Sequence, residues 1–247
     1  MTKQMNTWTM RMALLLLCGP ALTEAQTTAF GIKGGMTMGI QKWNGFDQDP
    51  LIKYHGVVFV ESGDEAAQYA LFSQLGYHAK GSALRNRNFF NPINGDIFRP
   101  PAQQFVFNNL SLTLGAKRKF DFGAVAKGYY LFGIRGDYTL STNLDEYKRI
   151  NELNNSFFFP DNYFVRNLNY GLCLGGGWEF SFAELVGAVL EFTLNPDLSW
   201  QYRQPAIANV RDPYTGQNRT VPERTIRNLT FEVTAGFRFL RKVEYID

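Results

Sequence analysis

The chain has 247 residues, 45% of them hydrophobic and 19% charged, and a formal net charge of +3. So small a charge, with no basic cluster interleaved with aromatics, argues against a nucleic-acid partner. A mean hydropathy of -0.23, with no run of about 20 apolar residues, excludes helical membrane spans but not strands.

In chain order, residues 1–25 read as a secretory signal, with Lys3 and Arg11 ahead of the short apolar run Ala13 to Leu17. Cleavage is expected after Ala25, leaving residues 26–247 as one domain. Of the two cysteines, Cys18 falls in the signal, so the mature chain keeps Cys173 and an internal disulfide is excluded. Acylation of Cys18 would call for a small residue before it, and Leu17 is not small. His55, His78 and Cys173 lack any metal-motif spacing.

Successive side chains of a strand point to opposite faces, so confinement of charge to one parity is the test applied to each segment. In 29–41, Phe30, Ile32, Met36, Met38 and Ile40 oppose Lys33, Thr37 and Gln41. Segment 54–61 reads as a strand whose parity the run Val57 to Val60 hides. In 67–83, Tyr69, Leu71, Leu75, Tyr77 and Ala79 oppose Gln74, His78 and Lys80. In 104–117, Val106, Leu110, Leu112 and Leu114 oppose Asn109, Ser111 and Thr113. In 122–138, Ala124, Tyr130, Phe132 and Ile134 oppose Lys127, Arg135 and Asp137. In 166–181, Leu168, Tyr170, Leu172, Leu174 and Trp178 oppose Asn169, Cys173 and Glu179. In 185–195, Val186, Ala188, Leu190, Phe192 and Leu194 oppose Glu191 and Thr193. In 225–240, Leu229, Phe231, Val233, Ala235, Phe237 and Phe239 oppose Asn228, Thr230, Glu232, Thr234 and Arg238.

Short turns are expected near Gly63-Asp64, Lys119-Phe120-Asp121 and Ser181-Phe182-Ala183. Long polar loops are expected over 42–53, 84–103, 139–165 and 196–224. The spacing of Leu144, Tyr147, Ile150 and Leu153 suits a short amphipathic helix in the third loop. Aromatics gather at the strand ends: Trp43, Tyr138, Tyr163 and Trp200 beside the long loops, and Phe120, Phe122, Phe180 and Phe182 beside the turns. Segments of a dozen residues, short-long alternation and an even strand count predict an all-β fold. The expected form is an eight-stranded antiparallel up-and-down transmembrane β-barrel with short periplasmic turns and long extracellular loops, sited in the bacterial outer membrane.

The inward charges Lys33, Lys80, Lys127, Arg135, Asp137, Glu179, Glu191, Glu232 and Arg238 nearly balance. In so narrow a barrel they are expected to form a structural polar network that fills the lumen. The expected role is non-enzymatic, structural or interactive within the envelope, without cofactor or metal. A lipid-modifying hydrolase and a narrow pore are the alternatives. For the hydrolase, His78 is the best base candidate and Ser82 or Ser73 a candidate nucleophile, but Ser82 stands roughly 13 Å along the strand from His78. The loop aromatics Phe89, Phe90 and Phe157 to Phe159 leave two alternatives open, a binding surface or a cap over the barrel.

Several motifs, taken in order, resemble the PorT-type outer-membrane β-barrel family of Bacteroidetes. They are Gly31 to Gly35, Tyr77 to Ser82, Leu110 to Leu114 with Lys117 to Phe120, Gly171 to Trp178, and Thr234 to Phe239. In many barrels the final aromatic is read by the insertion machinery; here Leu240 to Asp247 follow Phe239, a departure from that pattern. The resemblance implies a barrel over nearly the whole mature chain, brings no catalytic residues, and associates the chain with type IX secretion. The expected partners are outer-membrane lipid, the insertion machinery, and an envelope or secretion protein met through the extracellular loops or periplasmic turns.

Overall fold

A computed structural model describes residues 28–43, 48–62, 68–84, 89–90, 97–98, 102–122, 126–153, 159–212 and 215–241. The expected signal, residues 1–25, lies outside these. The wall is built from β1 (Thr28–Gln41), β2 (Gln48–Ser62), β3 (Tyr69–Leu84), β6 (Gln104–Asp121), β7 (Ala126–Thr142), β8 (Leu168–Ser181), β9 (Val186–Pro196) and β14 (Asn228–Arg241). Between wall strands lie β4 (Phe89–Phe90), β5 (Ile97–Phe98), β10 (Tyr202–Gln204), β11 (Ile207–Arg211), β12 (Asn218–Val221) and β13 (Arg224–Ile226). A helix α1 covers Asp145–Leu153, where the apolar spacing placed one. No helix among the described residues is long and apolar enough to cross a membrane.

The eight wall strands close in the order β1-β14-β9-β8-β7-β6-β3-β2. Every neighbouring pair is antiparallel, and β1 meets β14 in unbroken register from Thr28 opposite Arg241 to Gln41 opposite Asn228. Closure leaves no strand edge unpaired, the condition for a sheet to sit in hydrocarbon. The turns between β2 and β3, β6 and β7, and β8 and β9 fall at one end. The longer connections fall at the other, where β4 pairs β5, β10 pairs β13, and β11 pairs β12.

The alternation has the predicted sense. Ile32, Tyr54, Leu71, Ile134 and Phe237 lie exposed on the outside, whereas Lys33, Lys80, Arg135 and Glu232 are buried inside. A sheet built for water would hide its apolar face and expose its charges; this barrel does the reverse on every strand. Its wall strands run from 11 residues in β9 to 18 in β6, against about 9–11 needed to cross a membrane.

Three boundaries differ from the sequence reading. β2 begins at Gln48, inside the expected first loop, because the register with β3 slips between Pro50 and His55 and restores pairing on both sides of a bulge. β6 continues to Asp121, so the expected turn at Lys119 to Asp121 is strand, with Asp121 opposite Lys127. β7 continues to Thr142, through a second slip at Asn108 and Asn109. Trp43, expected in the interfacial girdle, is instead 4% exposed and packs on Phe105 and Tyr202. Phe120, Phe122, Phe182, Tyr138 and Tyr163 do face outward.

Candidate functional site in the barrel lumen

Among the described residues, the lumen holds six buried cations, Lys33, Lys80, Lys117, Lys119, Arg135 and Arg238, against six buried carboxylates, Glu61, Asp137, Glu179, Glu191, Asp197 and Glu232. Taking one such charge out of water costs several kcal/mol, so each needs close partners. Strand parity supplies them, since every inward position of one strand faces inward positions of all the others.

Near the turns, Lys117 Nζ lies 2.7 Å from Glu61 and 3.5 Å from Glu179. Lys119 bonds Glu61 and reaches Glu179 at 3.1 Å, and Arg238 reaches Glu179 at 3.4 Å. Lys127, in register with Glu179, is half-buried at the turn end of this group. Lys33 pairs with Glu191 at 2.5 Å, and the Tyr129 hydroxyl donates to the same carboxylate at 2.8 Å. An inward apolar cluster of Phe59, Phe72, Tyr129, Leu131, Cys173 and Val189 packs here. The Lys117 ammonium lies 4.3 Å from the centre of the Tyr129 ring, a cation–π contact.

Toward the loops, Lys80 bridges Asp137 at 2.5 Å and Asp197 at 3.1 Å. Arg135 donates through Nε to Asp137 at 2.9 Å and through Nη1 to Glu232 at 3.2 Å. Ser111 joins Asp137 and Arg135. His78 Nδ1 stands 2.8 Å from Glu232 Oε1. The His55 ring stacks on that of His78 with centroids 5.1 Å apart, its two nitrogens 2.9 Å from the Thr37 and Thr234 hydroxyls. Above these, Gln41 donates to Asn228, Asn228 to Asp197 and Gln201 to Asn109.

The mouth is covered. Inward Phe105 and Phe107 of β6 pack with Trp43, Leu144, Tyr147, Phe159, Tyr202 and Ile226. Asn151 ties α1 to this cap, accepting from the Phe159 amide at 3.0 Å and donating to its carbonyl at 2.9 Å. The Tyr202 hydroxyl donates to Gln204 at 2.8 Å, and burial pushes its pKa up to about 12. Burial likewise raises the Tyr147 phenol. Phe159 thus belongs to a cap over the barrel; Phe157 and Phe158 lie outside the described residues.

All nine sequence-predicted lumen charges therefore lie on inward positions, eight buried and Lys127 half-buried. Sequence reasoning missed Glu61, Lys117, Lys119, Asp197 and the pairing of His55 with His78. For the first three the signal was present: Glu61 shares parity with His55 across the valine run, and Lys117 and Lys119 share parity with Asn109, Ser111 and Thr113. The hydrolase candidates are not brought together. His78 is committed to Glu232, while Ser82 donates to Gln41 and Gln48.

An even number of long antiparallel strands, short turns opposite long loops, an apolar outer band with aromatic ends and a polar interior together define an outer-membrane β-barrel, and the protein is one. No family model matches the chain, nor does any curated protein. Among solved structures it is similar to OprG of Pseudomonas aeruginosa, at 9% identity over 87% of this chain and 97% of that one, TM-score 0.47. It is also similar to Neisserial surface protein A, at 12% identity over 85% and 97%, TM-score 0.43, and to the outer-membrane protease OmpT of Escherichia coli, at 10% over 89% and 99%, TM-score 0.42. The membrane assignment rests on the chain's own surface and lumen rather than on these likenesses.

Proposed function

We propose that the protein is a non-enzymatic docking barrel, anchored by its wall and working through its extracellular loops on an envelope or secretion partner. The observation that carries this reading is the closed lumen. Among the described residues, six buried cations face six buried carboxylates, an apolar cap covers the mouth, and the cavity between His55, His78, Arg135 and Glu191 has about 10 Å³ open to the centre of a water molecule, room for one water. A lumen filled in this way favours a structural core over a conduit, and directs attention to the outer surface. The loop layer has its own secondary structure in α1 and the small sheets, as a recognition platform on a rigid scaffold requires. The resemblance of the strand motifs to the PorT-type family supports a secretion partner, with type IX secretion the specific system. Commitment of His78 and Ser82 to separate partners supports a non-enzymatic role.

The test replaces the outer hairpin, residues 205–223, by a short turn that keeps β10 and β13. Proteins are then captured from native outer membranes on the full chain and on the shortened one. A partner retained by the full chain and lost from the shortened one, with the heat-dependent gel shift of a folded barrel unchanged, is the expected result. Stepwise conductance of the full chain in planar bilayers, or a partner held equally by both chains, overturns the reading.

A further inference from the structure

We propose that the lumen binds a divalent transition-metal ion of the zinc class on His55, His78 and Glu232. The inference is independent of the docking reading. The three side chains come from β2, β3 and β14, so no sequence spacing announces them, and closure of the barrel alone assembles them. One donor atom from each lies within 4.8 Å of the others. Imidazole and carboxylate are donors that zinc takes at about 2.0–2.2 Å, which sets the ligands of a tetrahedral ion about 3.4 Å apart. Side-chain movements of about 1 Å bring the three donors onto one ion.

Two further observations point the same way. The water-sized cavity lies among these residues, bounded also by Lys33, Arg135 and Glu191. Gly76 keeps part of that space open, because a Cβ there would come within 2.7 Å of His78 Nε2. Lys33, Lys80 and Arg135 face Asp137, Glu191, Asp197 and Glu232, one carboxylate in excess, whereas the group near the turns has the opposite imbalance. The charged residues lining the cavity balance, Lys33 and Arg135 against Glu191 and Glu232, and the excess carboxylate stands one layer further toward the loops.

The surrounding shell fits as well. His55 has a threonine hydroxyl at each ring nitrogen; one gives way to the ion and the other fixes the tautomer and ring orientation, as outer-shell partners of metal-bound histidine do. Glu232 Oε1 accepts from His78 and Arg135, while Oε2 meets Thr193 at 3.4 Å and faces the weaker competition. Arg135 stays beside the site and limits the ion to one carboxylate ligand.

The test uses the untagged full-length chain, refolded from urea into detergent with zinc sulfate, desalted, and assayed for metal by mass spectrometry. About one zinc per folded chain is expected, and refolding with cobalt should give the intense visible absorption of a four-coordinate ion. His55→Gln and His78→Gln each keep a hydrogen-bonding amide and are expected to retain less than about a tenth of the zinc, with the heat-dependent gel shift showing that the barrel has closed. A wild-type chain that emerges without zinc overturns the proposal, as do variants that hold the wild-type amount. Should a variant fail to close, the wild-type cobalt spectrum decides, and the weak bands of a six-coordinate ion overturn the site.

Discussion

Ile134→Arg tests the inside-out surface at the depth where membrane and water differ most. Ile134 is the central residue of β7, lies 61% exposed, and is flanked in register by Leu114 and Leu172. Tyr130 and Tyr138 stand four residues to either side. At about 3.3 Å per residue and a tilt of about 40°, they bracket roughly 20 Å of depth with Ile134 at its centre. An arginine at the midplane of a barrel's lipid face costs about 2–4 kcal/mol, falling to about 0–1 kcal/mol near the interface. Leu168, the first residue of β8 and equally outward, is the shallow control. In urea-dependent unfolding from lipid vesicles, with a slope of about 2 kcal/mol/M, Ile134→Arg should lower the midpoint by about 1–2 M, and Leu168→Arg by less than about 0.5 M. A water-facing Ile134 would tolerate arginine within about 0.5 kcal/mol. Equal midpoints for the two variants would refute the membrane assignment.

Three other outcomes follow from the wall and the lumen. Glu191→Ala leaves Lys33 buried without its carboxylate and should destabilise the barrel by about 3–5 kcal/mol, whereas Lys33→Met with Glu191→Leu should recover most of that loss; urea midpoints of Glu191→Ala and the double variant measure it, and a double variant as unstable as Glu191→Ala would count against pairing. A Cβ at Gly35 would stand 1.8 Å from the Val233 carbonyl, so Gly35→Val should prevent β1 from pairing with β14 and abolish the heat-dependent gel shift. Trp43→Ala empties the centre of the cap at a cost of about 3–5 kcal/mol and should speed tryptic cleavage of the loops while leaving that gel shift intact; unchanged cleavage would show that the cap does not rest on Trp43.

The wall was legible because a period of two survives any tertiary context: Leu229 through Phe239 and Asn228 through Arg238 separate on sight. The valine run of β2 concealed parity because Val57 faces the lumen and Val58 the outside with the same chemistry, and Glu61 was lost with it. Lys117 and Lys119 were lost to a different cause. Basic residues followed by Phe-Asp resemble a turn, yet cross-strand carboxylates from β2 and β8 make them lumen residues. Asp197 keeps the inward parity of Glu191, Thr193 and Asn195 but lies just past Pro196, the last residue of β9, where the long loop was expected to begin. Trp43 misled because an aromatic at a strand end suits both a lipid interface and a loop core, and Phe105 and Tyr202 decide between them. The helix α1 was readable from Leu144 and Tyr147, whereas the pairing of β10 with β13 joins segments 20 residues apart that carry little alternation.

The contact between β1 and β14 also sets the order of assembly. Among the described wall strands, each other neighbouring pair joins segments consecutive along the wall and can zip as soon as both exist. The β1–β14 ladder joins Thr28 to Arg241 and waits for the last strand, so its loop-closure entropy falls late and makes it the slow step. Until then the β1 edge is an open template for stray pairing. The interval between arrival of the chain at the membrane and docking of β14 on β1 is therefore when stray pairing at that edge is most favoured.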